Sequence, residues 1–277
     1  MVASLFVECF GGARLLDPDE IRSWLSNAEL EPGWLRVLEE EERVVGYGDI
    51  WPQGGELTLD VVAPGWWEVF FDWAEEEAGR RWIPCVRTQV PHGHELARVA
   101  EARGYVPWRH SLTMEIALHA DPARNALPGG IELRAYRDDD CDALIAALNE
   151  SFAADPFHHD VTPSSFREFF LGARGFDPAL FLLAWDGGEL AGYALDYPVH
   201  GSDAELGWVA NLGVRPRWRR RGLGEGLLRE SFAKLYAHGL RRVGLGVDAE
   251  NATGALQLYE RVGMHQVRRS DNWQKHL

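Results

Sequence analysis

The chain has 277 residues, 46% of them hydrophobic and 26% charged, which is typical of a soluble globular protein with two domains. A formal net charge of −15 argues against a nucleic-acid-binding protein, because phosphate contacts need an extended basic surface. No apolar run approaches the roughly 20 residues of a membrane span, and the first residues lack a signal-peptide pattern. We therefore expect a cytoplasmic protein with no membrane or nucleic-acid partner.

Three cysteines, Cys9, Cys85 and Cys141, are widely separated along the chain. Their odd number and scattered positions predict neither a disulfide framework nor a paired zinc-ligand motif. We expect reduced thiols and no metal site.

Short strands alternate with helices through residues 1–117. In chain order, the pattern predicts strands at 43–52 and 54–65, a helix at 66–79, a strand at 82–90, a helix at 94–104 and a closing strand at 111–118. Residues 118–130 contain two prolines and two glycines without apolar periodicity, so they predict a linker.

Residues 131–277 repeat this order of elements. Strands at 189–198 and 203–216 precede a helix at 222–239, a strand at 241–249, a helix at 252–263 and a closing stretch at 265–277. The shared order indicates a duplicated unit. We predict a mixed α/β protein with two tandem domains, each with a mostly antiparallel sheet flanked by helices.

Acidic residues are concentrated in the first half of the chain. Residues 1–128 contain 11 basic and 22 acidic side chains, a net charge of −11, which leaves −4 for the remainder. Two interpretations are open: the acidity provides solubility, or it attracts cationic substrates.

Five arginines lie within residues 215–221, directly before Gly222 and Gly224 at the start of an apolar helix. The first turn of a helix has unpaired N–H groups and the positive end of the helix dipole, and glycines allow an anion to approach the backbone. Arginines add charge-assisted donors, so a phosphate-bearing ligand is the functional interpretation. The alternative is a simple turn followed by a solvated charge run.

At this junction the sequence resembles the GNAT superfamily of acyl-coenzyme A-dependent N-acyltransferases. The family pattern Gln/Arg-x-x-Gly-x-Gly/Ala is matched by Arg219, Gly222 and Gly224, and a second family segment is matched by Asn251, Tyr259, Gly263 and Met264. The resemblance is strong over residues 130–277 and only topological over residues 1–117. The tandem layout also resembles that of the two-domain mycothiol synthases.

The resemblance implies acetyl-CoA as cofactor and assigns its binding residues. Leu212, Gly213 and Val214 would offer backbone groups to the pantetheine arm. The pyrophosphate would be wrapped by Arg219, Arg220, Arg221, Gly222, Leu223, Gly224 and Glu225. Asn251 would bind the cofactor arm, although an asparagine before a helix is equally an ordinary N-cap. Tyr259 would donate a proton to the departing thiolate, although Leu256, Tyr259 and Val262 could also be core positions.

In the first half the strand that ends near Gly65 is followed by Trp66, Trp67 and Glu68, with no arginine and no Gly-x-Gly. Ala100 stands four residues before Gly104, where the second half has Tyr259 before Gly263. We therefore predict a degenerate N-terminal domain (1–117), a linker (118–130) and a catalytic C-terminal domain (131–277).

The predicted activity is acetyl-CoA-dependent N-acetylation of a primary amine on a small molecule. A protein or peptide N-acetyltransferase and a non-catalytic acyl-CoA sensor are the alternatives. The general base is not assigned. Glu205 lies about 23 Å before Leu212 along an extended strand, which is too far for it to act as a direct base. His158 and His159 lie in a loop-like stretch where surface histidines are more common.

Overall fold

The computed structural model describes residues 2–10, 31–155, 157–201, 203–251 and 253–277. The chain divides into two units. Unit 1 contains Met1–Leu112, Asp248–Glu250 and Arg268–Leu277, and unit 2 contains Thr113–Val247 and Asn251–Val267. Each unit has a mostly antiparallel sheet flanked by helices, which confirms the predicted fold class.

The elements of unit 1 come mainly from the first 112 residues. They are α1 (Val2–Phe10), β1 (Leu35–Glu40), β2 (Arg43–Gln53), β3 (Glu56–Val62), α2 (Trp67–Arg80), β4 (Cys85–Pro91) and α3 (Leu96–Ala102). Strand β5 (Val106–Ala117) begins in unit 1, and its residues from Thr113 onward belong to unit 2.

The elements of unit 2 are β6 (Ile131–Ala135), α4 (Cys141–Phe152), α5 (Pro163–Phe166), β7 (Phe181–Asp186), β8 (Glu189–Tyr197), β9 (Leu206–Val214), α6 (Leu223–Ala237), β10 (Arg242–Asp248) and α7 (Ala255–Arg261). Strand β11 (His265–His276) follows, and its residues from Arg268 onward belong to unit 1. From β7 onward, unit 2 repeats the order of strands and helices that begins at β1 in unit 1.

The strands of each unit combine antiparallel hairpins with a parallel pair. The strand order is β1-β2-β3-β4-β11-β5 in unit 1 and β5-β10-β9-β8-β7-β6 in unit 2. The parallel pairs are β3 with β4 and β9 with β10, and a helix connects the two strands of each pair, α2 in unit 1 and α6 in unit 2. Parallel neighbours need such a crossover connection, so the matching topology agrees with a duplicated unit.

Alternating residues of the unit 2 strands face two separate apolar clusters. Phe181, Leu183, Tyr193 and Leu195 pack with α4, whereas Leu182, Ala184 and Ala194 pack with α6. This period of two is expected for a sheet covered on both faces. In unit 1 the core includes Trp273 of β11, which is 8% exposed.

The predicted linker, 118–130, has neither helix nor strand, but it packs against α6. The side chain of Leu127 lies 2.5 Å from the position of a Cβ on Gly226, so a larger residue there would displace the Leu127 methyl group. Asn125 donates a hydrogen bond to Glu225 at 3.0 Å, and Arg124 pairs with Glu230 at 3.2 Å. The segment therefore belongs to the folded part of unit 2.

No helix among the described residues combines the length and apolarity needed to cross a bilayer.

Asp196 of β8 is fully buried next to Ser231 of α6. Burial raises the pKa of Asp196 to about 8, and the Ser231 hydroxyl offsets only part of this effect. Between pH ~4 and ~8 the folded protein then holds a proton that the unfolded chain has released, so the free energy of unfolding falls as pH rises through this range.

We therefore expect Asp196→Asn to stabilise the protein at pH 8 by up to a few kcal/mol and to change little at pH 4, where the carboxyl is already neutral. Thermal unfolding of wild type and variant at both pH values measures this difference. The exposed Asp139 provides a control, because Asp139→Asn removes a carboxylate that is not buried. Equal melting temperatures for Asp196→Asn and wild type at pH 8 would contradict the raised pKa.

Candidate active site

Strands β9 and β10 are paired over only three residues, from Leu206–Arg242 to Trp208–Gly244. Strand β9 continues for six residues and β10 for four, and no further β9–β10 pair forms within the described residues. The part of β9 that is not paired with β10 includes Leu212, Gly213 and Val214. These three residues pair with β8 on the other side of the strand. Their edge can accept an extended ligand arm in the manner of an added strand.

Gly213 lies directly against a buried tyrosine. A Cβ at this position would stand 2.2 Å from the hydroxyl oxygen of Tyr193, so β9 can pass over Tyr193 only with a glycine. Tyr193 is fully buried, and burial raises its pKa well above the usual range. The unpaired edge of β9 therefore rests on a rigid, protonated phenol.

Residues 215–222 connect β9 to α6, and left-handed backbone conformations occur at Arg220 (φ 63°) and Gly222 (φ 84°). Gly222 is the N-cap of α6 and supplies no side-chain cap. The first-turn N–H groups of Leu223, Gly224 and Glu225 have no acceptor within the helix. An uncapped helix N-terminus of this kind binds anions through its N–H groups and dipole.

Three of the five arginines before α6 are bound by the protein itself. Arg215 pairs with Glu150 at 2.6 Å, Arg217 pairs with Glu189 at 2.8 Å, and Arg219 donates to the carbonyl oxygens of Val214 at 2.9 Å and Ser151 at 2.7 Å. These side chains hold the loop between β8, β9 and the C-terminal end of α4.

Arg220 and Arg221 are exposed and make no ion pair or side-chain hydrogen bond with the described residues. A guanidinium nitrogen of Arg220 lies 3.7 Å from the position of a Cβ on Gly254, the N-cap of α7. The charge available to a ligand therefore comes from these two side chains.

Glu225 places a carboxylate in the first turn of α6, where it would repel an anionic ligand. Its oxygens are bound by Asn125 at 3.0 Å, Arg229 at 3.0 Å and Arg261 at 3.5 Å. The two arginines compensate its charge, so the backbone N–H of Glu225 remains suited to an anion.

The start of α6 is brought close to α7 and to the end of β9. A Cβ on Gly224 would stand 3.5 Å from Leu258 and 3.6 Å from Val214. Asn251 precedes α7 and accepts a hydrogen bond from the Thr253 N–H at 2.8 Å, as in a side-chain turn, while Gly254 is the N-cap. Asn251 thus has a local structural role in addition to its predicted one.

Tyr259 is the buried residue of α7, with 7% of its surface exposed. Burial raises its pKa to about 12, which keeps the hydroxyl protonated at neutral pH. This protonated phenol lies on α7, near the loop that connects β9 to α6, and can act as a proton donor.

Trp208 lies where the β9–β10 pairing ends. Its indole covers Gly244, where a Cβ would stand 2.8 Å from the ring, and it stacks on His200 with ring centroids 3.6 Å apart. Neither this stack nor the burial of Tyr193 under Gly213 has a signal in the sequence other than strand alternation.

His158 and His159 lie in the loop between α4 and α5.

Unit 1 has a different junction at the equivalent place. Only four residues, 63–66, separate β3 from α2, against eight between β9 and α6. A cavity of about 480 Å³ lies beside this junction, lined by Leu5, Glu8, Cys9, Pro64, Gly93, His94 and Glu95. Its described lining is acidic and contains no arginine or lysine.

Residues 142–264 match the model of the acetyltransferase (GNAT) family. A mycothiol acetyltransferase of Geodermatophilus obscurus is 33% identical over 240 residues, a match that covers 80% of this chain and 76% of that protein. The chain belongs to the GNAT acetyltransferase family. A mycothiol acetyltransferase of Streptomyces scabiei is 36% identical over 190 residues, but this match spans 68% of the chain and only 59% of that relative.

Solved structures place the GNAT fold over nearly the whole chain. A GCN5-related N-acetyltransferase from Sphaerobacter thermophilus is 28% identical, with a TM-score of 0.80 over 99% of this chain and 91% of that chain. A tandem GNAT protein from the clavulanic acid biosynthesis pathway, at 19% identity, has a TM-score of 0.73 over 99% of this chain and 94% of that chain. The family resemblance and the tandem GNAT fold predicted from the sequence are thus confirmed.

Proposed function

We propose that this GNAT protein is an acetyl-CoA-dependent N-acetyltransferase that acts on a primary amine of a small molecule. The observation that carries the proposal is the uncapped N-terminus of α6, with Arg220 and Arg221 beside it, at the end of the unpaired edge of β9. A cofactor with both a pyrophosphate and an amide-containing arm needs these two features next to each other.

The residues of unit 2 fit that cofactor. Leu212, Gly213 and Val214 would bind its arm through their backbone, and the N–H groups from Arg220 to Glu225 with the two free guanidinium groups would bind its pyrophosphate. Bound there, acetyl-CoA supplies an acetyl group activated as a thioester. Arg219 would act indirectly, since its side chain holds the loop through the carbonyls of Val214 and Ser151.

Tyr259 would donate a proton to the departing sulfur. Its pKa of about 12 means that proton release is unfavourable in the resting protein, so the hydroxyl is present as a donor throughout the neutral range. Asn251, whose amide oxygen is used by Thr253, would contribute its amide nitrogen to the cofactor arm.

Unit 1 would not bind the cofactor. Its junction of four residues is short, the N-cap of α2 is Trp66, and the nearby cavity has an acidic lining. An acidic surface disfavours a pyrophosphate. We therefore propose one cofactor per chain, bound in unit 2, with unit 1 as a degenerate copy.

The relatives named mycothiol acetyltransferase support a small-molecule acceptor. The acidity of residues 1–128 agrees with a cationic amine, although a lysine-bearing peptide would also be cationic. A protein acetyltransferase and an acyl-CoA sensor are therefore the functions against which the experiment must discriminate.

The test is thiol release from acetyl-CoA against a panel of primary amines: aminoglycosides, polyamines, amino sugars, cysteinyl compounds and a lysine peptide. We expect release well above the hydrolysis background with at least one small amine and none with the peptide. Release with the peptide alone would indicate a protein acetyltransferase. Calorimetric binding of coenzyme A without release for any amine would indicate a sensor.

A further inference from the structure

The gap between β9 and β10 begins at the Trp208–Gly244 pair, the last of the three pairs that join the two strands. Beyond this pair, Ala210 of β9 and Gly246 of β10 are exposed, whereas Gly244 is buried. The gap is therefore open to solvent along the edge that we propose for the arm of the acetyl donor, and it closes at Trp208.

The side chain of Trp208 spans the closed end of this gap. Its backbone belongs to β9, but its ring lies over β10, 2.8 Å from the position of a Cβ on Gly244 and 3.9 Å from that of a Cβ on Gly246. Glycines within a strand often mark a close approach of another group. Here the indole occupies the space above both glycines.

The turn before β9 fixes the plane of this indole. The ring stacks on the His200 imidazole, with centroids 3.6 Å apart and 10° between the two planes. The backbone of His200 pairs with that of Asp203, whose carboxylate accepts a hydrogen bond from Arg242, the first residue of β10, at 3.0 Å. A ligand in the gap therefore meets a supported ring at its closed end.

The proposed position of the pyrophosphate gives the arm a direction along β9. The start of α6 lies next to the end of β9, since a Cβ on Gly224 would stand 3.6 Å from Val214. An arm that leaves this point and follows β9 through Leu212 directs its far end, which carries the thioester, toward Trp208. The acyl group then extends into the closed end of the gap.

The indole limits the length that is available to the acyl group. When the parallel register of β9 and β10 is continued past its last pair, Gly246 lies level with Ala210, two residues before Leu212. At ~3.3 Å per residue of strand, roughly 7 Å separate Leu212 from the ring over Gly246. A thioester carbonyl with one methyl group fits in this length, whereas each further methylene would have to displace the ring.

We propose that Trp208 determines the acyl specificity of this protein by closing the gap between β9 and β10 to acyl groups longer than acetyl. The inference rests on the acetyltransferase function and the cofactor position proposed above. It gives Trp208 a role in selecting the acyl donor, in addition to its packing against Gly244 and His200.

The test compares the binding of coenzyme A, acetyl-CoA and butyryl-CoA by calorimetry, which needs no acceptor amine. Wild type should bind butyryl-CoA roughly 10- to 100-fold more weakly than acetyl-CoA, the usual scale for methylenes that a pocket excludes. Trp208→Ala should bind the two thioesters with affinities within about threefold of each other. The affinity for coenzyme A itself, which has no acyl group, should not change.

Trp208→Phe retains a smaller ring, so its preference for acetyl-CoA should lie between those of wild type and Trp208→Ala. This variant decides the question if the alanine variant does not fold. Trp185→Ala is the matched control, because Trp185 is a half-buried tryptophan of β7, two strands away from β9. It should keep the wild-type preference.

Two results would overturn the assignment of Trp208. One is equal binding of both thioesters by wild type, and the other is an unchanged preference in the Trp208 variants while coenzyme A binding is intact. Wild-type protein that binds no coenzyme A, or that binds acetyl-CoA but releases no thiol with any amine, would instead refute the proposed function itself.

Discussion

Replacing Tyr259 with phenylalanine should reduce the turnover of acetyl transfer by roughly 100-fold or more, the usual scale for a lost general acid. The substitution removes the hydroxyl and keeps the ring, which is buried in α7 with 7% of its surface exposed. Packing should therefore be preserved, and both the melting temperature and the affinity for coenzyme A should stay close to those of wild type.

The measurement combines steady-state turnover with calorimetric coenzyme A binding and thermal unfolding of the same preparation. Leu256→Met, three residues earlier in α7, is a control that changes shape slightly without removing a proton donor. Full turnover in Tyr259→Phe would show that Tyr259 is only a core residue, with water as the proton source for the departing thiolate.

Replacing Gly222 with valine should weaken coenzyme A binding by roughly 10- to 100-fold, equivalent to about 1.5–3 kcal/mol for lost charge-assisted hydrogen bonds. Gly222 has a left-handed backbone (φ 84°) and a Cβ there would meet no atom within 4 Å. The side chain would instead occupy the space in front of the uncapped N–H groups of α6, and a β-branched residue strains the left-handed turn.

Gly65 of unit 1 offers a matched control for this prediction. It precedes α2, its φ is 79°, and a Cβ there would also meet no atom within 4 Å. Gly65→Val should therefore cost a similar amount of stability and leave the coenzyme A affinity almost unchanged. Equal loss of affinity in both variants, or two cofactors bound per wild-type chain, would contradict a single site in unit 2.

Local sequence patterns predicted the elements of the candidate site. The periodicity of residues 222–239 and the glycine at its start led to a helix that the structure places at Leu223–Ala237. Gly222 and Gly224 were sufficient to predict the turn between β9 and α6. A left-handed backbone, or a close approach of an anion to the backbone, depends on a glycine at the position itself. The family motif then allowed Tyr259 to be singled out among apolar neighbours.

Contacts between distant residues could not be predicted in this way. The five arginines look equivalent in the sequence, yet Arg215, Arg217 and Arg219 are bound by groups from β8, β9 and α4. Likewise, Gly213 and Tyr193 are twenty residues apart, and only strand pairing brings them together. Such roles depend on the register of the sheet, which local propensity does not determine.

The return of residues 268–277 to unit 1 has a consequence for how the protein is made. Until the ribosome has added these residues, β4 lacks its neighbour β11 on one side, and Trp273 is missing from the core. An uncovered strand edge is a template for association with other chains. Unlike a domain that folds as soon as one continuous stretch has emerged, unit 1 must wait until residues 268–277 have been synthesised. Nascent chains stalled before residue 268 should therefore depend on chaperones.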